Sequence, residues 1–358
     1  MSTTRTPATA SLRHRARRFA ELVTTPLVPS DFWELLDPLH GGSGLRGRIV
    51  GQRQETRDAV SLAIRPGRGW AGHTAGQYVR LGVEVDGVRQ WRSYSLTSPP
   101  RPDGVITVTV TAVPDGIVST QLVRRTKVGT VVHLDQAAGD FTLPRDRPAK
   151  ALFVTAGSGI TPVMGMLRDG VGRLDDVVLV HSAPRPEDVV FGAQLRALAA
   201  RGGLRLVEVH TAVDGRLTPA RLAELVPDFA TRQTWACGPN GLLDALQETY
   251  DAAGLELRTE RFRPVVLAVG DGGAVTFADT GVTAEADAAT SLLDTGEANG
   301  VLMPSGCRMG ICFGCVIPLR EGSVRDLRNG HVTTAVDGDA IPVQTCVSAA
   351  AGPCRLGI

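Results

Sequence analysis

Short alternating runs of apolar and polar residues begin at Arg46 and continue for about a hundred positions. Glycine, proline and aspartate turns separate these runs, which predicts antiparallel strands at 48–54, 59–64, 77–85, 88–96 and 105–113. A helix is expected at 119–125. Many short strands in succession favour an antiparallel β-barrel.

The apolar pattern changes after residue 149. Residues 151–156 form a continuous apolar run, which is typical of a strand buried on both faces. Further strands are predicted at 176–182, 204–211 and 233–237, and helices at 163–168, 192–200, 219–225 and 240–250. Alternation of strand and helix predicts an α/β doubly wound parallel sheet.

Two other regions complete the predicted organisation. Residues 11–23 have the pattern of a basic amphipathic helix, and a second short helix is expected around Trp33. This arm either lies on a membrane surface as a peripheral contact or packs on the rest of the chain. A strand at 274–279 and a helix at 289–299 follow a connector. The predicted segments are an arm at 1–45, a barrel at 46–148, an α/β domain at 149–264, a linker at 265–273 and a C-terminal domain at 274–358.

Composition limits the classes of protein to which the chain can belong. The 358 residues are 43% hydrophobic, enough for two or three domains with cores of their own. A net charge of +1 argues against nucleic acid as a partner. No apolar run is long enough for a transmembrane span, and no secretory signal is recognisable.

Four of the six cysteines follow a pattern with a chemical meaning. Cys307, Cys312 and Cys315 have the spacing C-x4-C-x2-C, and Cys346 lies 31 positions further on. This is the plant-type pattern of four thiolates that hold a 2Fe-2S cluster. Zinc would favour paired C-x2-C motifs or histidine, and a disulfide framework would suit a short secreted chain. Cysteines committed to iron predict a reducing, cytoplasmic location.

Glycines interleave with these cysteines and let the backbone turn its N–H groups toward the sulfurs. From about Gly273 to the C-terminus the chain resembles plant-type ferredoxin domains. The resemblance implies an α+β, β-grasp fold with the cluster under a surface loop, acting as a one-electron carrier. Cys354 lies outside the pattern and has no assigned role.

The barrel region contains residues suited to a flavin nucleotide. Such a ligand needs a cation and helix-end amides for its pyrophosphate, and a flat aromatic for its ring. Arg92, Tyr94 and the turn Gly116-Ile117-Val118-Ser119 supply these groups. A core aromatic in a strand is the alternative interpretation of Tyr94.

From Arg46 to Pro264 the chain resembles the ferredoxin-NADP reductase superfamily. The resemblance implies that Arg92 pairs with the pyrophosphate, Tyr94 stacks on the isoalloxazine and Ser95 hydrogen-bonds near N5. It also implies that Gly116, Val118 and Ser119 contact the pyrophosphate and that Phe141 lies near the nucleotide. FAD is the expected flavin, with FMN as the alternative.

The α/β region offers a nicotinamide site. Gly157-Ser158-Gly159-Ile160-Thr161-Pro162 follows the first strand, where glycines and a helix N-terminus admit a pyrophosphate. Cys237-Gly238-Pro239 ends a later strand, at the edge where ligands collect. The resemblance places Cys237 beside the nicotinamide ring, in a positioning role and not as a nucleophile, whereas a buried structural cysteine is the alternative.

The choice of nicotinamide depends on the end of the second α/β strand. Ser182 and Arg185 are the predicted contacts of a 2′-phosphate, because an acidic residue is expected there in NAD-binding proteins. NADPH is therefore predicted, with NADH as the alternative. Phe262, in the element Glu260-Arg261-Phe262, either covers the flavin face or is an ordinary core residue.

Together these regions predict an electron chain from NADPH through flavin to the cluster. The reacting centre is assigned to Tyr94, Ser95 and Cys237. The resemblance is to reductase components of oxygenases and fatty-acyl desaturases, including phthalate dioxygenase reductase in domain order, so the expected acceptor is a separate oxygenase, haem monooxygenase or membrane desaturase. The alternatives are a self-contained reductase of a small molecule or oxygen, and a redox sensor.

Overall fold

The computed structural model describes Leu39 and residues 44–358, apart from 86, 115, 171, 173 and 263–268. Both helices predicted in the N-terminal arm lie outside the described residues, as does part of the predicted linker. The described residues form three sheets in chain order. None of their helices is both long and apolar enough to cross a bilayer.

The first sheet is antiparallel and barrel-like, as predicted. Its strands are β1 (Arg46–Thr56), β2 (Ala59–Pro66), β3 (Tyr78–Val85), β4 (Val88–Ser95), β5 (Ile106–Thr111) and β6 (Val131–Leu134). They lie in the order β4-β3-β6-β1-β2-β5. A bridge between Leu96 and Val108 joins the two edges. The helix predicted at 119–125 is instead α1 (Ile117–Thr120) followed by a π-helical turn, Gln121–Arg125.

The second sheet is parallel and doubly wound. Its strands are β7 (Lys150–Ala156), β8 (Asp176–Ala183), β9 (Arg205–His210), β10 (Gln233–Cys237) and β11 (Leu257–Glu260), in the order β11-β10-β7-β8-β9. The helices are α2 (Ile160–Gly170), α3 (Gly192–Ala200), α4 (Thr211–Asp214), α5 (Pro219–Leu225) and α6 (Asn240–Ala252). Successive strand residues point to opposite faces, so Phe153 and Leu152 belong to separate cores.

The third sheet is mixed and carries one described helix. Its strands are β12 (Gly273–Phe277), β13 (Val282–Ala286), β14 (Val316–Asp326), β15 (Val332–Ala335), β16 (Ile341–Gln344) and β17 (Ser348–Leu356). The helix α7 (Leu292–Ala298) is shorter than predicted, because the Ser291 hydroxyl caps it by accepting from the Asp294 N–H at 3.1 Å. Leu292 and Leu293 pack with Phe277 in the core. The predicted β-grasp architecture is confirmed.

Candidate functional site

The four predicted cluster cysteines come together at one end of the third sheet. Three lie in the loop between α7 and β14, and Cys346 lies in a short 3₁₀ turn before β17. Cys307, Cys315 and Cys346 are buried, whereas Cys312 is partly exposed. None of the four is in a disulfide.

Their side chains form two neighbouring pairs. Cys307 lies beside Cys312, and Cys315 lies beside Cys346. In the described part of the chain, no three His, Cys, Asp or Glu side chains converge as a single metal ion requires. Two pairs of thiols fit a cluster of two irons, in which each iron takes two cysteine ligands.

The loop turns its backbone donors toward the sulfurs. The N–H of Cys307 donates to Sγ of Cys312 at 3.1 Å, and the N–H of Met309 donates to Sγ of Cys307 at 3.3 Å. Gly314 donates to Cys312 at 3.4 Å. Hydrogen bonds to the ligand sulfurs stabilise added negative charge on a cluster.

Arginines hold this loop in place. Arg308 adopts a left-handed backbone with a φ of 58° and pairs with Asp294 and Glu297 of α7. Arg328 and Gln344 both donate to the carbonyl of Gly310, each at 3.0 Å. The loop is therefore anchored to both the helix and the sheet.

A cavity of about 640 Å³ lies between the barrel and the cluster loop. This volume is within the range of small-molecule and cofactor sites. Both sets of predicted residues line it: Arg92, Ser95 and Phe262 from one side, and Cys307 and Cys346 from the other. The flavin-type residues and the cluster ligands thus face one space.

The barrel side of the cavity has the features of an anion site. Burial lowers the pKa of Arg92 to about 10, and the nearby charge of Arg308 contributes in the same direction. The side-chain oxygens of Ser93 and Ser95 are buried without a hydrogen-bond partner among the described residues. A phosphate and a polar ring edge would satisfy these groups, so the residues present fit a flavin nucleotide.

Two residues predicted to contact the flavin do not line this cavity, and their contact with a flavin stays a prediction. Tyr94 packs against the barrel core, where burial raises its pKa, and it does not line the cavity. Phe141 is buried in the core of the α/β domain. Tyr78, at the start of β3, is a second aromatic residue that lines the cavity besides Phe262. Its ring packs on Gly139, which adopts a φ of 103°.

The predicted turn at Gly116 is formed as a helix start. Gly116 precedes α1, and the Ser119 hydroxyl donates to its carbonyl at 3.2 Å. Val118 is buried in the barrel core. A Cβ on Gly116 would meet the side-chain ends of Ser119 and Val113, which would have to shift.

The nicotinamide motif lies against the end of β10. Gly157 has a φ of 55°, and a Cβ on Gly159 would overlap the carbonyl of Cys237. Thr161 donates to the carbonyl of Ser158 at 2.9 Å, and Pro162 is buried in the first turn of α2. The close approach of two backbones explains why the motif requires Gly159.

Cys237 and Glu260 end adjacent strands in register. Burial raises the pKa of the Cys237 thiol, and Glu260 adds to the effect, so this thiol is not a nucleophile at neutral pH. Burial also raises the pKa of Glu260 to about 8, with a contribution from Asp140. Glu260 lines the flavin cavity beside Phe262, whose side chain is 38% exposed.

A second cavity of about 520 Å³ lies at the carboxyl edge of the parallel sheet. Ser182 lines it together with Pro239, as the sequence predicts for a nucleotide site. The predicted Arg185 does not line it; the arginine that does is Arg216, in the segment after α4. Arg185 is exposed at the start of a short 3₁₀ turn.

Sequence reasoning missed Tyr78, Glu260 and Arg216 as cavity residues. Glu260 lies two positions before Phe262, which the sequence does indicate as a flavin-face candidate, and this proximity in sequence could have pointed to Glu260. Tyr78 starts a strand and Arg216 follows a glycine turn, and nothing in their local sequence marks them.

Family models match three consecutive segments of the chain. An oxidoreductase FAD-binding domain matches residues 58–143, an oxidoreductase NAD-binding domain matches 153–248, and a 2Fe-2S iron-sulfur cluster binding domain matches 275–351. The three matches coincide with the three sheets.

Curated relatives cover most of the chain. An NADPH oxidoreductase of Mycobacterium tuberculosis is 50% identical over 96% of this chain and 92% of its own length. The ferredoxin reductase component of a 3-ketosteroid-9-alpha-monooxygenase from Mycolicibacterium smegmatis is 33% identical over 80% and 89%. A stachydrine N-demethylase reductase subunit from Rhizobium meliloti is 28% identical over 84% and 91%.

Among solved structures, phthalate dioxygenase reductase has the same modular fold. It superposes with a TM-score of 0.60 at 22% identity, covering 87% of this chain and 97% of its own. At this identity the likeness concerns the fold.

Proposed function

The chain belongs to the family of NAD(P)H-dependent oxidoreductases that combine FAD-binding, NAD-binding and 2Fe-2S domains, and we propose that it is the reductase component of an oxygenase system. It takes two electrons from NADPH and delivers them singly to a separate protein. Flavin chemistry provides the conversion between hydride and single electrons. FAD is the proposed flavin.

One observation carries the proposal: the cavity that Arg92 and Ser95 line from the barrel is also lined by Cys307 and Cys346. A flavin held by the first pair would face a cluster held by the second, and no additional carrier would be needed between them.

The side chains around this cavity have separate roles in binding the cofactors. Arg92 would bind the pyrophosphate, and the unpaired hydroxyl of Ser95 would orient the ring edge. Gly159 lets the loop after β7 approach Cys237, which would pack beside the nicotinamide without reacting. Phe262 and Tyr78 line the cavity and would exclude water from the bound flavin.

We assign the preference for NADPH to Arg216 together with Ser182. Both line the cavity at the edge of the parallel sheet. Arg216 is exposed and has no ion pair with any residue that the structure describes, so it is available to a 2′-phosphate.

The proposed acceptor is a terminal oxygenase, because the stachydrine and 3-ketosteroid relatives are reductase components by name. Haem monooxygenases and fatty-acyl desaturases are the other acceptor classes that a one-electron cluster serves.

The test compares two artificial acceptors. The wild-type protein is expected to reduce cytochrome c and ferricyanide with NADPH, whereas Cys307→Ser is expected to lose cytochrome c reduction and keep ferricyanide reduction. Cys354→Ser, which changes a buried thiol outside the cluster loop, is the control. Equal loss of both activities in Cys307→Ser would contradict the proposed path.

A further inference from the structure

Arg80 reaches from the barrel to the cluster loop. It lies in β3, and its side chain is only 20% exposed. Its Nη1 is 3.4 Å from the position that a Cβ on Gly306 would occupy, and 3.6 Å from that of Gly314. The same Cβ position on Gly306 would overlap Sγ of Cys312, so the guanidinium is close to the partly exposed member of the four cluster cysteines.

Two barrel residues fix the direction of this guanidinium. Asp135, which follows β6, forms an ion pair with Nε of Arg80. The Arg80 guanidinium also lies over the ring of Trp91, 5.2 Å from its centroid. An arginine that is paired at one edge and stacked on one face presents its remaining N–H groups in a fixed direction.

The loop leaves an opening for Arg80. A Cβ on Gly306 would overlap Sγ of Cys312, and a Cβ on Gly314 would come within 3.4 Å of the same sulfur. Since neither residue has a side chain, Cys312 is accessible to a donor from the other domain. The two glycines thus permit an interdomain contact as well as the turn of the loop.

We propose that Arg80 is a positioning residue for electron transfer, which holds the cluster loop against the barrel and raises the reduction potential of the bound cluster. The cluster gains one electron and one negative charge when it is reduced, and no bond forms or breaks. A cation at a ligand sulfur stabilises that added charge. This role of Arg80 rests on the proposed function, because it assumes that the cluster passes electrons on. The reduction potential of the cluster can nevertheless be measured without NADPH or an acceptor.

The experiment is an anaerobic redox titration of the holoprotein with mediator dyes, in which EPR reports the reduced cluster. In Arg80→Gln the ratio of reduced to oxidised cluster at a fixed potential is expected to fall about tenfold, equal to about 59 mV for one electron. Arg80→Lys retains the charge and should restore part of the ratio. Arg53→Gln, which changes another barrel arginine paired with a carboxylate, should match the wild type.

Asp135→Asn is expected to shift the ratio of reduced to oxidised cluster in the opposite direction. The test therefore does not depend on correct folding of the Arg80 variants alone. The asparagine oxygen can still accept from Nε of Arg80 and keep its direction, whereas the negative counter-charge is lost, so the ratio should rise. Any of three results would overturn the inference. They are a wild-type ratio in Arg80→Gln, an equal fall of the ratio in Arg80→Gln and Arg80→Lys, and a fall of the ratio in Asp135→Asn. If the wild type failed to reduce cytochrome c while these shifts persisted, the proposed function would fail and the role of Arg80 would stand.

Discussion

Replacing Arg216 by alanine should reduce the preference for NADPH over NADH. Arg216 lines the cavity at the edge of the parallel sheet, whereas Arg185 does not. A hydrogen bond between charged groups contributes about 1.5–3 kcal/mol, which corresponds to roughly 10- to 150-fold in kcat/KM. Because Arg216 is exposed, solvent screening puts the expected loss near the lower end, at about tenfold.

The assay is steady-state ferricyanide reduction, which does not depend on the cluster. In Arg216→Ala, kcat/KM for NADPH should fall about tenfold while that for NADH stays constant, because NADH has no 2′-phosphate. The difference should shrink as ionic strength rises. Arg185→Ala is the matched control and should retain wild-type discrimination. Unchanged discrimination in Arg216→Ala, or an equal change in Arg185→Ala, would refute the assignment.

Two further predictions concern the nicotinamide side of the flavin cavity. The pKa of Glu260 is raised from 4.5 to about 8, so the folded protein binds a proton that the unfolded chain releases, and the free energy of unfolding should fall as pH rises across this interval. Urea titrations at pH 5 and 8 should show a smaller fall for Glu260→Gln, and an identical fall would refute the raised pKa. Gly159→Ala forces a methyl into the carbonyl of Cys237, so ferricyanide reduction with NADPH should be lost while flavin and cluster absorbance persist. Gly51→Ala, whose added methyl meets only an ordinary contact at 3.6 Å, should be active, and an active Gly159→Ala would contradict the packing.

The architecture could be predicted because its patterns are local. The alternating residues at the start of β3, and the continuous apolar run in β7, determine which faces are buried. The cluster ligands were also predictable, since three of the four lie within nine positions of sequence. Helix ends were less accurate: α2 starts at Ile160, directly after the glycine turn, and not at 163.

The parts that escaped prediction depend on contacts between distant segments. Nothing in the local sequence distinguishes Arg80 from other strand arginines, because Cys312 of the third domain comes close to it only in the folded protein. Glu260 has a raised pKa only because the assembled domains bury it. Tyr94 packs partly buried against the barrel core, a placement that depends on the facing of β4 and that one short motif does not determine.

The most direct test of the account is an anaerobic addition of NADPH to the reconstituted protein, with absorbance following the flavin and EPR following the cluster. NADPH is expected to bleach the yellow absorbance of the flavin. The EPR signal of a reduced 2Fe-2S cluster should develop in the same sample, without any other protein. Cys307→Ser should show the bleaching alone. A wild-type protein whose flavin is reduced while its cluster stays oxidised would contradict the path from nicotinamide through flavin to iron.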